Sequence, residues 1–144
     1  MEGIQVRSGV RADAARVAEL SGQLGYPVSA GEVEARLEGS PDGSEGDLLV
    51  AVHDGAVVGF LEVERRRSVY AGGWAEISGL VVGEGSRGRG VGRALVAAAC
   101  AWARGQGFRR LRVRTNVVRE RSARFYEGEG FRLVKQQRVY DREL

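Results

Sequence analysis

Between Asp13 and Leu24 the apolar residues Ala14, Val17, Ala18, Leu20 and Leu24 recur at helical spacing, which predicts an amphipathic helix stopped by Gly25-Tyr26-Pro27. Ile4–Arg7 before it reads as a strand. Ser29 with Glu32 three places on has the form of a capping box and opens a second, short helix through Leu37. Residues 39–46 hold three Gly, two Ser and one Pro, a loop by composition. Leu48–His53 is then a buried strand, Asp54-Gly55 supplies a two-residue turn whose positions need positive φ, and Ala56–Glu64 returns. The run Arg65-Arg66-Arg67 is expected to mark where that strand leaves the core. Ala75–Val82 completes the meander and feeds directly into Gly83-Glu84-Gly85-Ser86-Arg87-Gly88-Arg89-Gly90-Val91-Gly92.

A long helix is expected from Gly90 to Arg104, with Val91, Leu95, Ala98 and Trp102 on one face and Gly105 and Gly107 ending it. Leu111–Arg114 reads as a strand, Arg119–Gly128 as a short helix, and Phe131–Lys135 and Arg138–Asp141 as two final strands. This order predicts an α+β (mixed α/β) fold around one sheet. A length of 144 residues with 43% hydrophobic content fits a single domain over residues 1–144.

Composition narrows the chemistry. Apolar runs fall short of the ~20 residues that span a membrane, and no basic stretch leads into an apolar core at the start, so a cytoplasmic protein without membrane partners is expected. Cysteine and histidine occur once each, as Cys100 and His53, which excludes Cys/His zinc sites and disulfides within the chain; no metal is expected. Residues 1–86 carry 7 basic and 14 acidic side chains, whereas residues 87–144 carry 15 and 5. The second half is suited to an anion. Its aromatics, among them Trp102, Phe125, Tyr126 and Phe131, fall at core-like spacing and form no stacking row, so nucleic acid is not the expected partner.

A glycine-rich loop that opens a helix brings unpaired N–H groups and the positive end of the helix dipole together, and Arg87, Arg89 and Arg93 add full charges there. A phosphate-bearing ligand is the expectation. Gly83–Gly88 also satisfies G-x-G-x-x-G, but no Asp or Glu lies between Glu84 and Glu120 to hold a ribose, so a dinucleotide site fails. A P-loop fails for want of Gly-Lys-Ser/Thr.

Arg87-Gly88-Arg89-Gly90-Val91-Gly92 has the form Q/R-x-x-G-x-G/A and, following an apolar strand, resembles the acetyl-CoA pyrophosphate loop of the GCN5-related N-acetyltransferase (GNAT) family. Arg119-x-x-Ser122-Ala123-x-Phe125-Tyr126-Glu127, with Gly130-Phe131, is similar to a second block of that family, although Ser122-Ala123 stands where one branch has Ala-His. The resemblance implies a mostly antiparallel sheet splayed between its fourth and fifth strands, about four flanking helices, and acetyl-CoA in the opening. It implies cofactor contacts for backbone groups of Leu80 and Val82, for Arg87, Gly88, Arg89, Gly90, Val91, Gly92 and Arg93, and for Asn116 at the end of the fifth strand. It also implies Tyr126 as general acid toward the departing thiolate.

Glu76 lies 11 residues before Arg87, a spacing similar to the glutamate base of one branch, and is the candidate to take the amine's proton directly or through water. Its alternative is a solvent-facing strand residue. A neutral alkylamine is scarce at pH 7, a handicap of roughly 4 kcal/mol, so a base is required. The expected reaction is acetyl transfer to a primary amine of unknown identity, with Tyr26, Tyr70, Trp74 and Arg65–Arg67 as candidate acceptor contacts. A non-catalytic acyl-CoA sensor would use the same loop, and a homodimer through the sheet edge is an arrangement the resemblance leaves open.

Overall fold

The computed structural model describes residues 3–39 and 43–144. Its order is β1 (Gln5–Ser8), α1 (Ala14–Gln23), α2 (Ala30–Glu38), β2 (Gly46–His53), β3 (Ala56–Ser68), β4 (Gly72–Val82), α3 (Val91–Gly105), β5 (Leu111–Val113) and α4 (Glu120–Gly128). A 3-10 turn at Arg11–Asp13 precedes α1. The strands form one mixed sheet in the order β1-β2-β3-β4-β5, antiparallel except for the parallel pair β4–β5. Residues 40–42 of the expected 39–46 loop lie outside the described residues, and Gly46 already belongs to β2.

Local chemistry accounts for several boundaries. Ser29 caps α2, its hydroxyl accepting from the Glu32 N–H at 3.1 Å. Asp54 and Gly55 turn β2 into β3 at φ 50° and 77°, the two positive values that a tight hairpin of this hand requires. The three arginines do leave the core, as expected, but β3 does not end there: Arg65, Arg66 and Arg67 pair with Ala75, Trp74 and Gly73 of β4. Backbone pairing outlasts the apolar pattern because the ladder needs only N–H and C=O groups.

The chain clusters into two compact units, Met1–Val113 and Arg114–Leu144. In the first, α1 and α2 cover one sheet face, where Val17, Leu20 and Val33 meet Leu48, Val50, Val57 and Val81. The other face carries α3, whose buried side is Val91, Leu95, Val96, Ala99 and Ala103; Ala98 and Trp102, expected there, are half-buried flanks. Gly59 makes this packing possible, since a Cβ on it would lie 2.9 Å from the Val81 carbonyl and 3.0 Å from Val91 Cγ1. In the second unit α4 is the one regular element. The strands expected at 131–135 and 138–141 do not form, because a two-residue link such as Gln136-Gln137 needs positive φ and neither residue adopts it. Among the described residues no helix is long and apolar enough to cross a membrane.

Asp13, 7% exposed, ties β1 to α1. Arg7 grips both of its carboxylate oxygens, at 2.7 and 3.1 Å, and the Val10 N–H donates to it at 2.8 Å. Hydrogen bonding from Arg7 is the largest reason the carboxyl is held below its ordinary value. The contribution is therefore complete above about pH 4 and is lost as pH falls through the lowered value. Asp13→Asn is expected to lose about 1–2 kcal/mol in urea unfolding at pH 7, in the lower part of the range for a buried charge-assisted bond because Arg7 is half-exposed. The deficit should shrink as pH falls below about 4; equal stability at pH 7 would contradict this.

Candidate functional site

The β4–β5 ladder holds only Ala75, Glu76 and Ile77, opposite Leu111, Arg112 and Val113. At the next residue β4 bulges: Val63 pairs with Ile77 but Glu62 with Gly79, so Ser78 is the extra residue. Beyond it, Gly79–Val82 stays paired with β3 while β5 has already ended. The sheet thus opens along one side of β4, beside Leu80 and Val82, both half-buried.

From Val82 the chain enters a tightly fixed loop. Gly83 is buried, donates its N–H to the Val58 carbonyl at 2.8 Å, and has no room for a Cβ, which would fall 2.9 Å from Leu20 Cδ2. The Glu84 N–H donates to Gln23 Oε1 at 3.1 Å, and Arg87 Nε donates to the Val82 carbonyl at 3.3 Å. Gly90 is the N-cap of α3 at φ 87°, a conformation that strains any residue with a Cβ. It also has no side chain to cap the helix, so the amides of Val91 and Gly92 meet no side-chain acceptor from the cap. Gly88 and the side chains of Arg87, Arg89 and Arg93 are exposed around this point. The arrangement is a glycine-capped helix start with guanidinium groups beside it, chemistry that suits an anion.

Glu76 is not solvent-facing. It is 4% exposed, accepts from Trp74 Nε1 at 3.1 Å and lies 3.9 Å from Arg66 Nε. Trp74 is buried too, with the guanidinium of Arg112 at 5.1 Å and of Arg110 at 5.9 Å from its ring centroid, which makes it part of the sheet's packing. Register places Glu62, Glu64 and Arg66 of β3 opposite Gly79, Glu76 and Trp74, so all six share the α2 face. Arg66 donates to Glu64 at 2.9 Å, Arg36 of α2 donates to Glu64 at 2.7 Å and to Glu62, and Ser78 donates its hydroxyl to Glu62 at 3.1 Å. Hydrogen bonding to Glu62, aided by Glu64, holds the Arg36 guanidinium above its ordinary value.

A cavity of about 330 Å³ opens next to this network, between α1, α2 and the sheet. Its apolar walls are Val17, Val28, Val33, Leu48 and Phe60. Its charged lining is Glu32, Arg36 and Glu62, with Ser21 and Gly79 completing it. Glu62 is the functional candidate that sequence reasoning missed. Its signal was the alternation Phe60-Leu61-Glu62-Val63-Glu64, which sets two carboxylates on the strand face that Phe60 shares. Of the other acceptor candidates, Tyr70 is 95% exposed, and Tyr26 has its backbone tied to Ser21.

In the second unit, Asn116 does not end a strand, because β5 stops at Val113. Its Oδ1 accepts from the Val118 N–H at 3.1 Å and its carbonyl from the Arg119 N–H at 2.9 Å, which builds the turn into α4. Tyr126 of α4 sits edge-on between Phe125 and Phe131, with ring centroids 5.0 and 5.5 Å away. Burial pushes its hydroxyl up to about 12. Of the residues expected at the site, Leu80, Val82 and the 87–93 loop therefore lie along one continuous strand–loop–helix segment, and Glu76 sits on the same strand before the bulge.

A mixed sheet whose fourth strand parts from the fifth and runs into a glycine-capped helix defines the class of α+β domain. Known proteins give the class a family. The sequence profile of the Acetyltransferase (GNAT) family matches residues 17–131. Aminoglycoside N(6')-acetyltransferase type 1 from Klebsiella aerogenes is 34% identical over 100 residues, which span 67% of this chain and 66% of that protein, just under two thirds of its length. The crystal structure of a Trypanosoma brucei acetyltransferase is 26% identical, with TM-score 0.79 over 96% of this chain and 99% of its own. That of aminoglycoside N-acetyltransferase AAC(6')-Iy in complex with CoA superposes with TM-score 0.85 at 21% identity, over 98% and 95%. The chain belongs to the GNAT family of acetyltransferases.

Spectrophotometric titration checks the Tyr126 environment. One phenol step is expected near pH 12, and Tyr126→Phe should remove that step and no other. Its persistence in the variant would show that another tyrosine carries the raised value.

Proposed function

We propose that this chain transfers the acetyl group of acetyl-CoA to a primary amine by direct attack, with no acyl-enzyme intermediate. The observation that carries the reading is the passage from β4 into the Gly90-capped start of α3, with Arg87, Arg89 and Arg93 alongside, in a chain of this family. Amides and guanidinium groups from Arg87 through Arg93 suit the pyrophosphate of CoA. Backbone groups of Leu80 and Val82, beside the opening that follows Ser78, suit the amide-bearing arm, and Asn116 is the remaining candidate for a cofactor contact. That one relative is an aminoglycoside acetyltransferase, and another protein of the same fold is a CoA complex, supports both an amine acceptor and this co-substrate.

Glu76 takes one proton from the ammonium, through a water because its carboxylate is buried against Trp74 and Arg66. The freed lone pair attacks the thioester carbon, the C–N bond forms, and charge developing on the carbonyl oxygen is met by β4 backbone N–H groups. Collapse breaks the C–S bond. Tyr126, whose raised value keeps it protonated at physiological pH, donates to the thiolate and is replenished by the second proton leaving nitrogen.

Thiol release from acetyl-CoA with an amine panel tests this reading. Turnover is expected, and Tyr126→Phe should lower kcat at least 10-fold while leaving acetyl-CoA affinity within about twofold. The Arg87→Ala, Arg89→Ala double variant should raise KM for acetyl-CoA by about 5- to 50-fold, the scale of about one lost charge-assisted bond. Tight acetyl-CoA binding with no release on any amine would contradict the enzyme and favour a sensor.

A further inference from the structure

We infer that the cavity between α1, α2 and the sheet takes the acceptor, and that the acceptor is a compact primary amine with one positive charge and an apolar body, its ammonium group against Glu62. The inference rests on the acetyl-transfer reading above and goes beyond it in naming the acceptor's chemistry.

Size, walls and charge each bear on this. At about 330 Å³ the cavity stands at the small end of the ~300–1,000 Å³ typical of ligand sites. Val17, Val28, Val33, Leu48 and Phe60 offer hydrocarbon and an aromatic ring, a lining that a carbon skeleton satisfies and a polyhydroxylated one does not. The charged lining is two carboxylates and one guanidinium, a formal sum of one negative charge. One ammonium neutralises it. A second ammonium group would have Glu32 left to it, and any further ones only the apolar walls or the Arg36 guanidinium, at a desolvation cost that nothing else in the lining offsets.

Glu62 has the geometry to receive the ammonium. It lines the cavity beside Gly79, the first β4 residue past the bulge, and its side chain is 26% exposed. Arg36 and Ser78 donate to it, yet an ionised carboxylate has about four acceptor positions, so room for a further donor remains. Glu76, by contrast, is 4% exposed and does not line the cavity. The two carboxylates thus divide the work, with Glu62 binding and orienting the amine and Glu76 removing its proton.

The test uses the full chain with saturating acetyl-CoA and three amines: 2-phenylethylamine, spermidine and kanamycin. Expected is a kcat/KM for 2-phenylethylamine at least 10-fold above that for the two polyamines. Glu62→Gln should raise KM for 2-phenylethylamine about 10-fold or more, with kcat within about threefold and acetyl-CoA affinity unchanged, whereas Glu76→Gln should lower kcat. Phe60→Ala should raise KM for 2-phenylethylamine and not for spermidine, which guards the test against a Glu62 variant that folds poorly. Comparable or faster turnover of kanamycin or spermidine, or a KM indifferent to Glu62→Gln in a folded protein, would overturn the inference and leave acetyl transfer standing. Absence of release with every amine would overturn both.

Discussion

The end of the β4–β5 ladder at Ile77 and Val113 governs the rest of the arrangement. A strand inside a sheet spends its N–H and C=O groups on two neighbours, and a strand that loses one neighbour must find other partners or meet a ligand. The Ser78 bulge sits at that point of release, adding a residue that re-aims everything after it. Gly79–Val82 keeps its rigid attachment to β3, so the released side of β4 is held by a sheet and not by a loose loop. Directly afterwards the buried Gly83 anchors the chain against Leu20 and Val58, and Gly90 starts α3.

Two close approaches keep this geometry fixed. Gly59 lets α3 settle onto β3, so the helix start stands at a set height above the sheet, and Gly83 lets the loop pass beside α1. Polar groups on the opposite face are joined in sequence from Trp74 and Glu76 through Arg66, Glu64 and Arg36 to Glu62 and Ser78. That network spans the bulge, connecting the buried carboxylate on one side with the cavity on the other. Partly buried charges of this kind persist when each has hydrogen-bonding partners, which is the case along this row.

How much of this was legible in the sequence follows from how local each signal is. The α2 cap at Ser29, the Asp54-Gly55 turn and the Gly90 helix start are encoded within a few residues, and all three stand where the sequence put them. Elements that depend on a partner strand read less well. Arg65–Ser68 lacks apolar alternation and is strand because Gly72–Ala75 runs beside it. Residues 131–135 and 138–141 set apolar residues among charged ones, but Gln136-Gln137 between them supplies no positive φ to fold one run back on the other. Glu62 escaped notice because its meaning lies in Arg36 from one helix and Ser78 from a bulge, neither near it in sequence. Glu76 was singled out by spacing, but only the structure shows it buried.

Backbone amide NMR with added acetyl-CoA tests the central claim most directly, because it reads the released side of β4 and the start of α3 residue by residue. Saturable shifts concentrated at residues 79–82 and 87–93, with the Ala75–Ile77 ladder little changed, are the result this account predicts. Saturable shifts gathered elsewhere, with residues 79–82 and 87–93 undisturbed, would contradict it.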